Sequence, residues 1–391
     1  MTGDRAPLIF IVAGEPSGDV LGGRLMRGLR TLTGGAVRFD GIGGGRMVAE
    51  GLVSRAPLSA LSLFGIVEVL PKAVGILRLV RETAAAAVAA GPAAIVTIDS
   101  SGFNFRLARR LRLLGYRGPL IHYVAPQLWA WWRPAKARSL TRYYDRLLAL
   151  FPFEPAFFAQ HGIAAEFVGH PAVEEGFGDG DGAAFRQRHD VPATAPILVV
   201  LPGSRRSEVR RLLPVFGEAV GRLAGEIPGL VAVVPTVPTV GDAVGAGVAH
   251  WPLRTIVLRD GGEKADAFAA ATAAIAASGT VTLELALSGT PFVVGYLVNE
   301  LTARVVGRYV RVRFATIANL VMDRAIVPEL IQKACTADRV VEVTRPLLLD
   351  PMVRATTIAD LKEAIGRLGF DGPPPSERAA RAVLDLIGRT A

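Results

Sequence analysis

The 391-residue chain has one cysteine and no long uninterrupted apolar segment. The single Cys335 excludes an intrachain disulfide framework and any zinc site built from several cysteines. No uncharged run reaches the roughly 18–20 apolar residues that span a bilayer. The nearest, 84–98 and 267–283, each contain a glycine and stop at an acidic residue. The first apolar run, 8–13, ends at Gly14 without a cleavage signal. We therefore expect a soluble, cytoplasmic protein.

Apolar residues make up 51% of the chain and the mean hydropathy is +0.37, which excludes a disordered protein. Lys and Arg number 44 against 35 Asp and Glu, so the formal net charge is +9. This balance indicates an anionic partner, which is a phosphate, a nucleic acid or a membrane surface. The five histidines are scattered, and no motif has metal-ligand spacing. We therefore predict no metal site.

Short apolar runs alternate with helical patterns, which predicts a doubly wound α/β architecture. Continuous apolar runs are typical of parallel strands that are covered on both faces. The predicted strands are 8–13, 94–98, 120–123, 146–149, 197–201, 230–234, 273–276 and 291–295. The periodicity breaks near 173–196, so we predict an N-terminal domain over 1–175 and a C-terminal domain over 190–350. The C-terminal region, about 350–391, either completes the first domain or stays with the second.

Two loops of the first half have chemically suggestive residues. The loop 13–19 reads AGEPSGD between a strand and a helix, where glycines permit close approach of a ligand. In it, Glu15 is suited to sugar hydroxyls, although a plain turn capped by Ser17 or Asp19 fits equally. In the second loop Asp99 follows a strand, where a carboxylate can act as a general base or cap a helix.

Two further loops belong to the second half. The segment 201–208 reads LPGSRRSE, and its backbone N–H groups with Arg205 suit a diphosphate; the alternative is a solvated basic turn. The segment 278–284 reads SGTVTLE, with small donors for phosphate and Glu284 for a ribose diol. Its alternative is a helix start capped by Ser278.

Two stretches are candidates for a lipid surface. The segment 58–80 is apolar with a basic rim, which fits either interfacial docking or a buried helix. Arg304, Arg308 and Arg311 share one face of a possible helix and would meet phospholipid headgroups or solvent.

Taken together, these segments resemble the lipid-A-disaccharide synthases, which make the β-1,6-linked disaccharide of lipid A in Gram-negative bacteria. The resemblance covers nearly the whole chain, from about Leu8 to the last helix. Its most specific parts are AGEPSGDVLG (13–22), FGIVEVL (64–70), IHYVAPQLWAW (121–131), FPFEP (151–155), VGHP (168–171), LPGSRRSE (201–208), SGTVTLE (278–284) and 319–332. Each is modest alone, and their joint order makes a chance match improbable.

The resemblance implies a GT-B type fold, with two Rossmann-like doubly wound domains facing a central cleft. It implies an inverting transfer from UDP-2,3-diacylglucosamine to 2,3-diacylglucosamine 1-phosphate (lipid X), without cofactor or metal, that releases UDP. Asp99 would deprotonate the acceptor 6-hydroxyl, and Arg205 would neutralise the leaving diphosphate. The other residues expected to contact substrate are Glu15, Ser17, Gly18, Gly203, Ser204, Ser278, Gly279, Thr280, Glu284, Asn319, Glu329 and Gln332.

The resemblance also implies peripheral association with the cytoplasmic leaflet of the inner membrane, and it leaves a homodimer open. The residues expected to meet the membrane or acyl chains are Leu63, Phe64, Val67 and Leu70. No nucleic-acid recognition module is present, so we expect no nucleic-acid partner.

One position departs from the family pattern. After the aspartate the family usually reads Ala-Pro-Asp-Phe-Asn, whereas this chain has SSGFN at 100–104, with Gly102 in place of the second aspartate. The loss of a rival base favours Asp99, and a shifted acceptor geometry is the alternative. A muramyl-type transferase or a sugar-nucleotide epimerase remains the alternative function.

Overall fold

A computed structural model describes residues 6–58, 69–131, 133–259, 261–299 and 312–388, with the side chains of 69–74 excepted. The chain divides into two compact units. Unit 1 comprises Met1–Pro171 and Gly369–Ala391, and unit 2 comprises Ala172–Leu368. The whole segment from 173 to 196, predicted as a boundary region, therefore belongs to unit 2.

Unit 1 is built on a seven-stranded sheet in the order β3-β2-β1-β4-β5-β6-β7, and all its pairings are parallel. Its strands are β1 (Leu8–Ala13), β2 (Arg38–Ile42), β3 (Val53–Ser54), β4 (Ala94–Ile98), β5 (Leu120–Tyr123), β6 (Arg146–Ala149) and β7 (Ala165–Phe167). The strand order reverses between β1 and β4, which is the topological switch point where ligands bind in open α/β sheets.

Helices cover both faces of this sheet. They are α1 (Pro16–Leu32), α2 (Gly45–Ala49), α3 (Val69–Ala90), α4 (Ser101–Leu113), α5 (Pro134–Leu140) and α6 (Glu154–Ala159). Phe10 and Val12 of β1 pack into one core cluster, and Ile9 and Ile11 pack into the other. Because both faces of β1 are buried, the strand is a continuous apolar run rather than an alternating one.

Unit 2 has a six-stranded parallel sheet in the order β10-β9-β8-β11-β12-β13. Its strands are β8 (Ile197–Leu201), β9 (Val231–Pro235), β10 (Thr255–Leu258), β11 (Ala273–Ala277), β12 (Phe292–Tyr296) and β13 (Glu329–Ile331). The described helices are α7 (Gly182–Arg188), α8 (Arg206–Glu226), α9 (Gly241–Val248), α10 (Lys264–Ala270), α11 (Val281–Leu287), α12 (Ile317–Met322), α13 (Ala337–Leu349) and α14 (Pro351–Arg367). Here the order reverses between β8 and β11.

The last helix, α15 (Pro375–Gly388), returns to unit 1. Its Ala379 and Val383 are buried in the same core cluster as Leu25 and Met26 of α1. Helix α14 stays with unit 2, so the segment that completes unit 1 begins at Gly369 and not near residue 350.

The predicted doubly wound α/β architecture is confirmed, and every predicted strand lies within one residue of an observed one. Among the described helices, none combines the length and the apolar character that a bilayer crossing requires. Several predicted membrane-facing positions, Leu63, Phe64, Val67, Arg304, Arg308 and Arg311, lie outside the described residues, as does the side chain of Leu70.

Candidate functional site

The four predicted loops fall in pairs at the two switch points. In unit 1 the loops after β1 and β4 contain Glu15 and Asp99, and these strands are neighbours. In unit 2 the loops after β8 and β11 contain Arg205 and Ser278, and these strands also pair. The carboxyl ends of neighbouring parallel strands share one edge, so each pair of loops forms one local site.

The loop after β1 leads directly into α1. Glu15 occupies the N-cap position without a side-chain cap, Ser17 is exposed and Gly18 is buried. Burial raises the pKa of Glu15, and the negative charge of Asp99 raises it further. The carboxylates of Glu15 and Asp99 therefore interact electrostatically at the switch point.

The alternative interpretation of this loop made Asp19 a cap of α1. The structure shows that Asp19 does not cap this helix. Its carboxylate instead accepts hydrogen bonds from the backbone N–H groups of Gly44 (2.8 Å), Arg46 (3.0 Å) and Met47 (3.0 Å). These groups lie at the start of α2, so Asp19 ties the first helix of unit 1 to the second.

The backbone at Asp99 is strained. Asp99 and Ser100 have φ angles of 50° and 40°, in the left-handed region that residues other than glycine rarely adopt. The side-chain amide of Asn104 donates to the carbonyl oxygens of Ile98 (3.0 Å) and Asp99 (2.8 Å). A Cβ on Gly14 would lie 2.4 Å from Ser100, so only glycine lets the first loop approach this turn. Strained residues of this kind cluster at functional sites.

A buried polar cluster lies behind this turn. The Thr97 hydroxyl is 2.8 Å from Nδ1 of His122 and 3.2 Å from the hydroxyl of Tyr144, which donates to the carbonyl oxygen of Asn104 (3.1 Å). Burial lowers the pKa of His122 to about 3, so its ring is neutral at physiological pH. The cluster supports β4 and α4 from the inside and was not predicted from the sequence.

In unit 2 the loop after β8 holds an internal ion pair. The Arg205 guanidinium contacts the Glu208 carboxylate at 2.8 Å, yet 76% of the Arg205 side chain is exposed. Glu208 also accepts from the backbone N–H groups of Ser204 (3.1 Å) and Arg205 (3.3 Å), which satisfies donors at the start of α8. A Cβ on Gly203, whose φ is +112°, would lie 2.7 Å from this carboxylate. The donors predicted for a diphosphate are thus prearranged around an anionic group.

The loop after β11 presents small residues at the neighbouring strand end. Gly279 and Thr280 are exposed, and α11 begins at Val281, so Ser278 does not cap it. Glu284 lies one turn inside α11 and forms an ion pair with Lys264. The Lys264 ammonium also lies 5.6 Å from the ring centroid of Phe177. Lys264 is 20 positions away in sequence, and no local pattern predicts this partner.

Asn319 and Glu329 are engaged inside the protein. The Asn319 amide donates to Val327 and Glu329 (2.8 Å each), and its oxygen accepts from Ile326 (2.8 Å) and Val327 (2.9 Å). Glu329 further accepts the N–H groups of Ala315 and Thr316 at 2.8 Å. Their visible contacts shape the loop before β13, and substrate contact by either stays a prediction.

Gln332 follows β13 in a left-handed conformation with a φ of 54°. In the amide orientation that satisfies both groups, it donates to the carbonyl oxygen of Val298 (3.3 Å) and accepts from the N–H of Val298 (3.1 Å). The side chain therefore mimics a backbone pairing with the segment after β12.

Glu154 is a buried carboxyl that the sequence pattern did not single out as a site. It accepts hydrogen bonds from Trp129 Nε1 (3.0 Å) and from the N–H groups of Leu150 (2.9 Å) and Phe151 (3.0 Å). Burial raises its pKa to about 7, against the opposing effect of these donors. It joins two of the quoted motif segments, 121–131 and 151–155, through these hydrogen bonds. No group of His, Cys, Asp and Glu side chains in the described parts of the chain is arranged to hold a metal ion.

Comparison with known sequences identifies close relatives. Residues 9–366 match the family described as lipid-A-disaccharide synthetase. A lipid-A-disaccharide synthase of Rhodospirillum centenum is 49% identical over 97% of this chain and 94% of its own length. That of Paramagnetospirillum magneticum is 47% identical over 97% of both chains. That of Ruegeria pomeroyi is 46% identical over 98% of this chain and 96% of its own.

Solved structures share the fold at low identity. A putative UDP-N-acetylglucosamine 2-epimerase from Listeria monocytogenes has a TM-score of 0.64 at 13% identity, covering 98% of this chain and 96% of that chain. Acinetobacter baumannii MurG has a TM-score of 0.58 at 17% identity, with 98% and 99% covered. The calicheamicin glycosyltransferase CalG4 has a TM-score of 0.60 at 17% identity, with 99% and 100% covered. The predicted GT-B type fold is confirmed, and at these identities the likeness shows the fold alone.

Proposed function

The chain belongs to the lipid-A-disaccharide synthetase family, and on that premise we propose how its residues join two acylated glucosamine units. The reaction transfers 2,3-diacylglucosamine from UDP to the 6-hydroxyl of 2,3-diacylglucosamine 1-phosphate. The new bond joins acceptor O6 to the donor anomeric carbon, and the bond from that carbon to the diphosphate breaks. UDP leaves with the electron pair, and the hydroxyl proton passes to a base.

The observation that carries the proposal is the strained turn at Asp99, held at a switch point beside Glu15. A carboxylate fixed at the carboxyl end of a central strand is suited to accept a proton from a bound hydroxyl. Support comes from the left-handed backbone at Asp99 and Ser100 and from the Asn104 amide that holds it. We assign Asp99 the role of general base. Glu15, which lies beside Asp99 at the start of α1, is suited to accept hydrogen bonds from the hydroxyls of the acceptor sugar.

The leaving diphosphate needs positive charge and N–H donors in unit 2. We assign this role to Arg205 with the backbone of Gly203 and Ser204. Support comes from the exposed Arg205 guanidinium, most of which stays accessible to a ligand beside its contact with Glu208. Charge placed where the leaving group develops its negative charge lowers the barrier for departure.

The nucleoside end of the donor is assigned to the loop after β11. Ser278, Gly279 and Thr280 supply small donors to a phosphate, and Glu284 is suited to a ribose diol because one carboxylate matches two vicinal hydroxyls. The ion pair with Lys264 holds the Glu284 carboxylate in place for that contact.

The membrane relation is also a proposal. Both sugars have acyl chains, which insert into a lipid bilayer. We therefore propose that the protein meets its substrates at the cytoplasmic face of the inner membrane. The net charge of +9 supports attraction to anionic lipids. We propose peripheral association there, and a homodimer is compatible with it.

Product analysis tests the assignments. The full chain is incubated with UDP-2,3-diacylglucosamine and 2,3-diacylglucosamine 1-phosphate, and mass spectrometry is expected to show the tetraacyl disaccharide 1-phosphate and UDP. Asp99→Asn should lose about 10²–10⁴-fold in kcat while its UDP affinity is retained, because the base acts on the acceptor. Arg205→Ala should weaken both UDP binding and turnover.

Two results would contradict these roles. Full activity of Asp99→Asn would remove Asp99 as the base, and unchanged kinetics of Arg205→Ala would remove the diphosphate contact. Arg138→Gln, an exposed charge change on α5 of unit 1, serves as the control for unspecific charge effects. Epimerised UDP-sugar in place of a disaccharide would favour the epimerase alternative.

A further inference from the structure

Three cations gather around the first turn of α4 in unit 1. The Arg106 guanidinium turns back along the helix and donates to the carbonyl oxygen of Gly102. The Lys136 ammonium lies 5.3 Å from the ring centroid of Phe105, over the aromatic face. Arg133 is the N-cap residue of α5, three positions before Lys136. We call Arg106, Arg133 and Lys136 the α4 cation cluster.

In the described parts of the chain, no acid compensates this charge. None of the three side chains has a carboxylate within ion-pair distance among the described residues, and all three are exposed. Burial lowers the pKa of Lys136, and the positive charges of Arg133 and Arg106 lower it further. Like charges held together are unfavourable unless an anion joins them. A bound anion with more than one negative charge would offset the repulsion among these three cations.

The aromatic surface beneath Lys136 supports the interpretation of this cluster as an anion site. Phe105 is held edge-on against His122, with ring centroids 5.3 Å apart, and against Tyr144 at 5.9 Å. These rings belong to the buried polar cluster behind Asp99. The surface on which Lys136 rests is therefore fixed by the same packing that fixes the proposed base.

The position of the cluster selects one substrate. Asp99 and Ser100 immediately precede α4, so the cluster and the proposed base lie at the same end of that helix. In the acceptor sugar, the ring oxygen joins C1, which has the phosphate, to C5, which has the C6 hydroxymethyl group, so a base that reaches O6 has the phosphate nearby on the same edge of the ring. The donor diphosphate has its own arginine, Arg205, in unit 2. We propose that the α4 cation cluster binds the 1-phosphate of the acceptor, an inference that rests on the proposed function.

The test compares two acceptors in neutral detergent micelles. One is 2,3-diacylglucosamine 1-phosphate, and the other is the same sugar without the phosphate. Arg133→Gln and Lys136→Gln should each raise the KM for the phosphorylated acceptor about ten- to hundredfold, as expected for a lost hydrogen bond to a charged group. The KM for the UDP-sugar and the kinetics with the dephosphorylated acceptor should stay within about twofold of the unmodified chain. Arg138→Gln, on the same helix, is the matched control and should leave both acceptors unaffected.

Two outcomes would overturn the proposal. One is an unchanged KM for the phosphorylated acceptor in both variants. The other is an equal loss with both acceptors in the micelles. When the assay is repeated on phosphatidylglycerol vesicles, an equal loss that occurs only there would also overturn the proposal and would assign the cluster to anionic lipid headgroups. If the unmodified chain forms no disaccharide from either acceptor, the proposed function itself fails, so the two failures are distinguishable.

Discussion

Individual residues hold the proposed base in a conformation that the backbone would otherwise avoid. Each non-glycine residue in a sparsely populated region costs on the order of 1–3 kcal/mol, and Asp99 and Ser100 are consecutive. The Asn104 amide offsets part of this cost by donating to the carbonyl oxygens of the peptide groups before and after Asp99. Asn104 is fully buried, so removal of its amide takes this donor away from two carbonyl oxygens inside the protein. We therefore expect Asn104 to be a positioning residue, because its amide contacts the backbone at the proposed base.

Removing the Asn104 amide should therefore impair catalysis more than substrate binding. We expect Asn104→Ala to lose about 10²-fold in kcat with the KM for the UDP-sugar unchanged, since small displacements of a catalytic group cost that much. Ser100→Gly in the same chain should restore at least about fivefold, because glycine adopts the left-handed conformation without help. The Ser100 hydroxyl has no hydrogen-bond partner in the described structure, so its removal costs little. Steady-state kinetics of the single and double variants measure the coupling.

A purely structural effect gives a different pattern. Leu111→Ala, at a buried position on α4, should destabilise unit 1 by about 2–5 kcal/mol through a cavity while leaving kcat intact below its melting temperature. If Asn104→Ala behaves like this control, or if Ser100→Gly fails to rescue it, Asn104 has no role in positioning Asp99.

His122 makes unit 1 sensitive to acid. Its pKa is about 3 in the folded chain because it is buried, against 6.5 when unfolded. The unfolded chain therefore binds a proton below about pH 6.5 that the folded chain does not, so stability falls as the pH falls from 6.5 towards 3. Between pH 7 and pH 5 this group should cost about 2 kcal/mol of stability. His122→Phe keeps an aromatic ring against Phe105 and Tyr144 and should abolish that part of the loss.

Hydrogen exchange of the β4 and β5 amides at pH 7 and pH 5 measures this difference within unit 1. Glu154 has the opposite effect, because its raised pKa makes the folded state more stable as the pH falls. This contribution is the same in the unmodified chain and in His122→Phe, so it cancels in the comparison. A residual acid loss should remain in the variant, because burial also lowers the pKa of His170 to about 4. Equal pH dependence in the two chains would contradict the assignment.

At the scale of elements, the central strands follow from their sequence and the edge strands do not. Strands β1, β4, β8 and β11 lie inside their sheets, are apolar on both faces and are therefore continuous apolar runs. The strands that the pattern missed include all four sheet edges, which are β3, β7, β10 and β13. Edge strands are short and half-exposed, and β13, for example, reads ELI. Their existence depends on pairing with a neighbour, which the sequence pattern does not contain.

The same division applies to the candidate site. The loops were predictable one at a time, since each follows an apolar run and holds small or charged residues. Their pairing at two switch points depends on strand order, and contacts such as Lys264 with Glu284 join distant elements. Asp19 illustrates the difference, because its place in α1 indicates a cap for α1, while tertiary packing directs its carboxylate to α2.

At the scale of the whole molecule, the chain path makes the two units unequal. Unit 2 is one continuous stretch, Ala172–Leu368, whereas unit 1 needs two stretches. The second stretch supplies α15, and its Ala379, Ala380 and Val383 are buried against the face of α1. A Cβ on Gly28 of α1 would lie 3.0 Å from the carbonyl oxygen of Ser376, which shows how closely the two helices approach.

This arrangement predicts which part of the chain is independent. A fragment of residues 172–368 has a complete six-stranded sheet and should fold cooperatively alone. It contains Arg205, Ser278 and Glu284, so it should bind UDP in calorimetry, and Arg205→Ala in the fragment should weaken that binding about tenfold or more. It lacks Asp99 and the α4 cation cluster, so it should neither transfer sugar nor bind the acceptor.

A fragment of residues 1–171 should stay unfolded until a peptide of residues 369–391 is added, because without α15 the apolar face of α1 is exposed to water. A stable 1–171 fragment, or a 172–368 fragment without UDP affinity, would contradict this division of labour between the units.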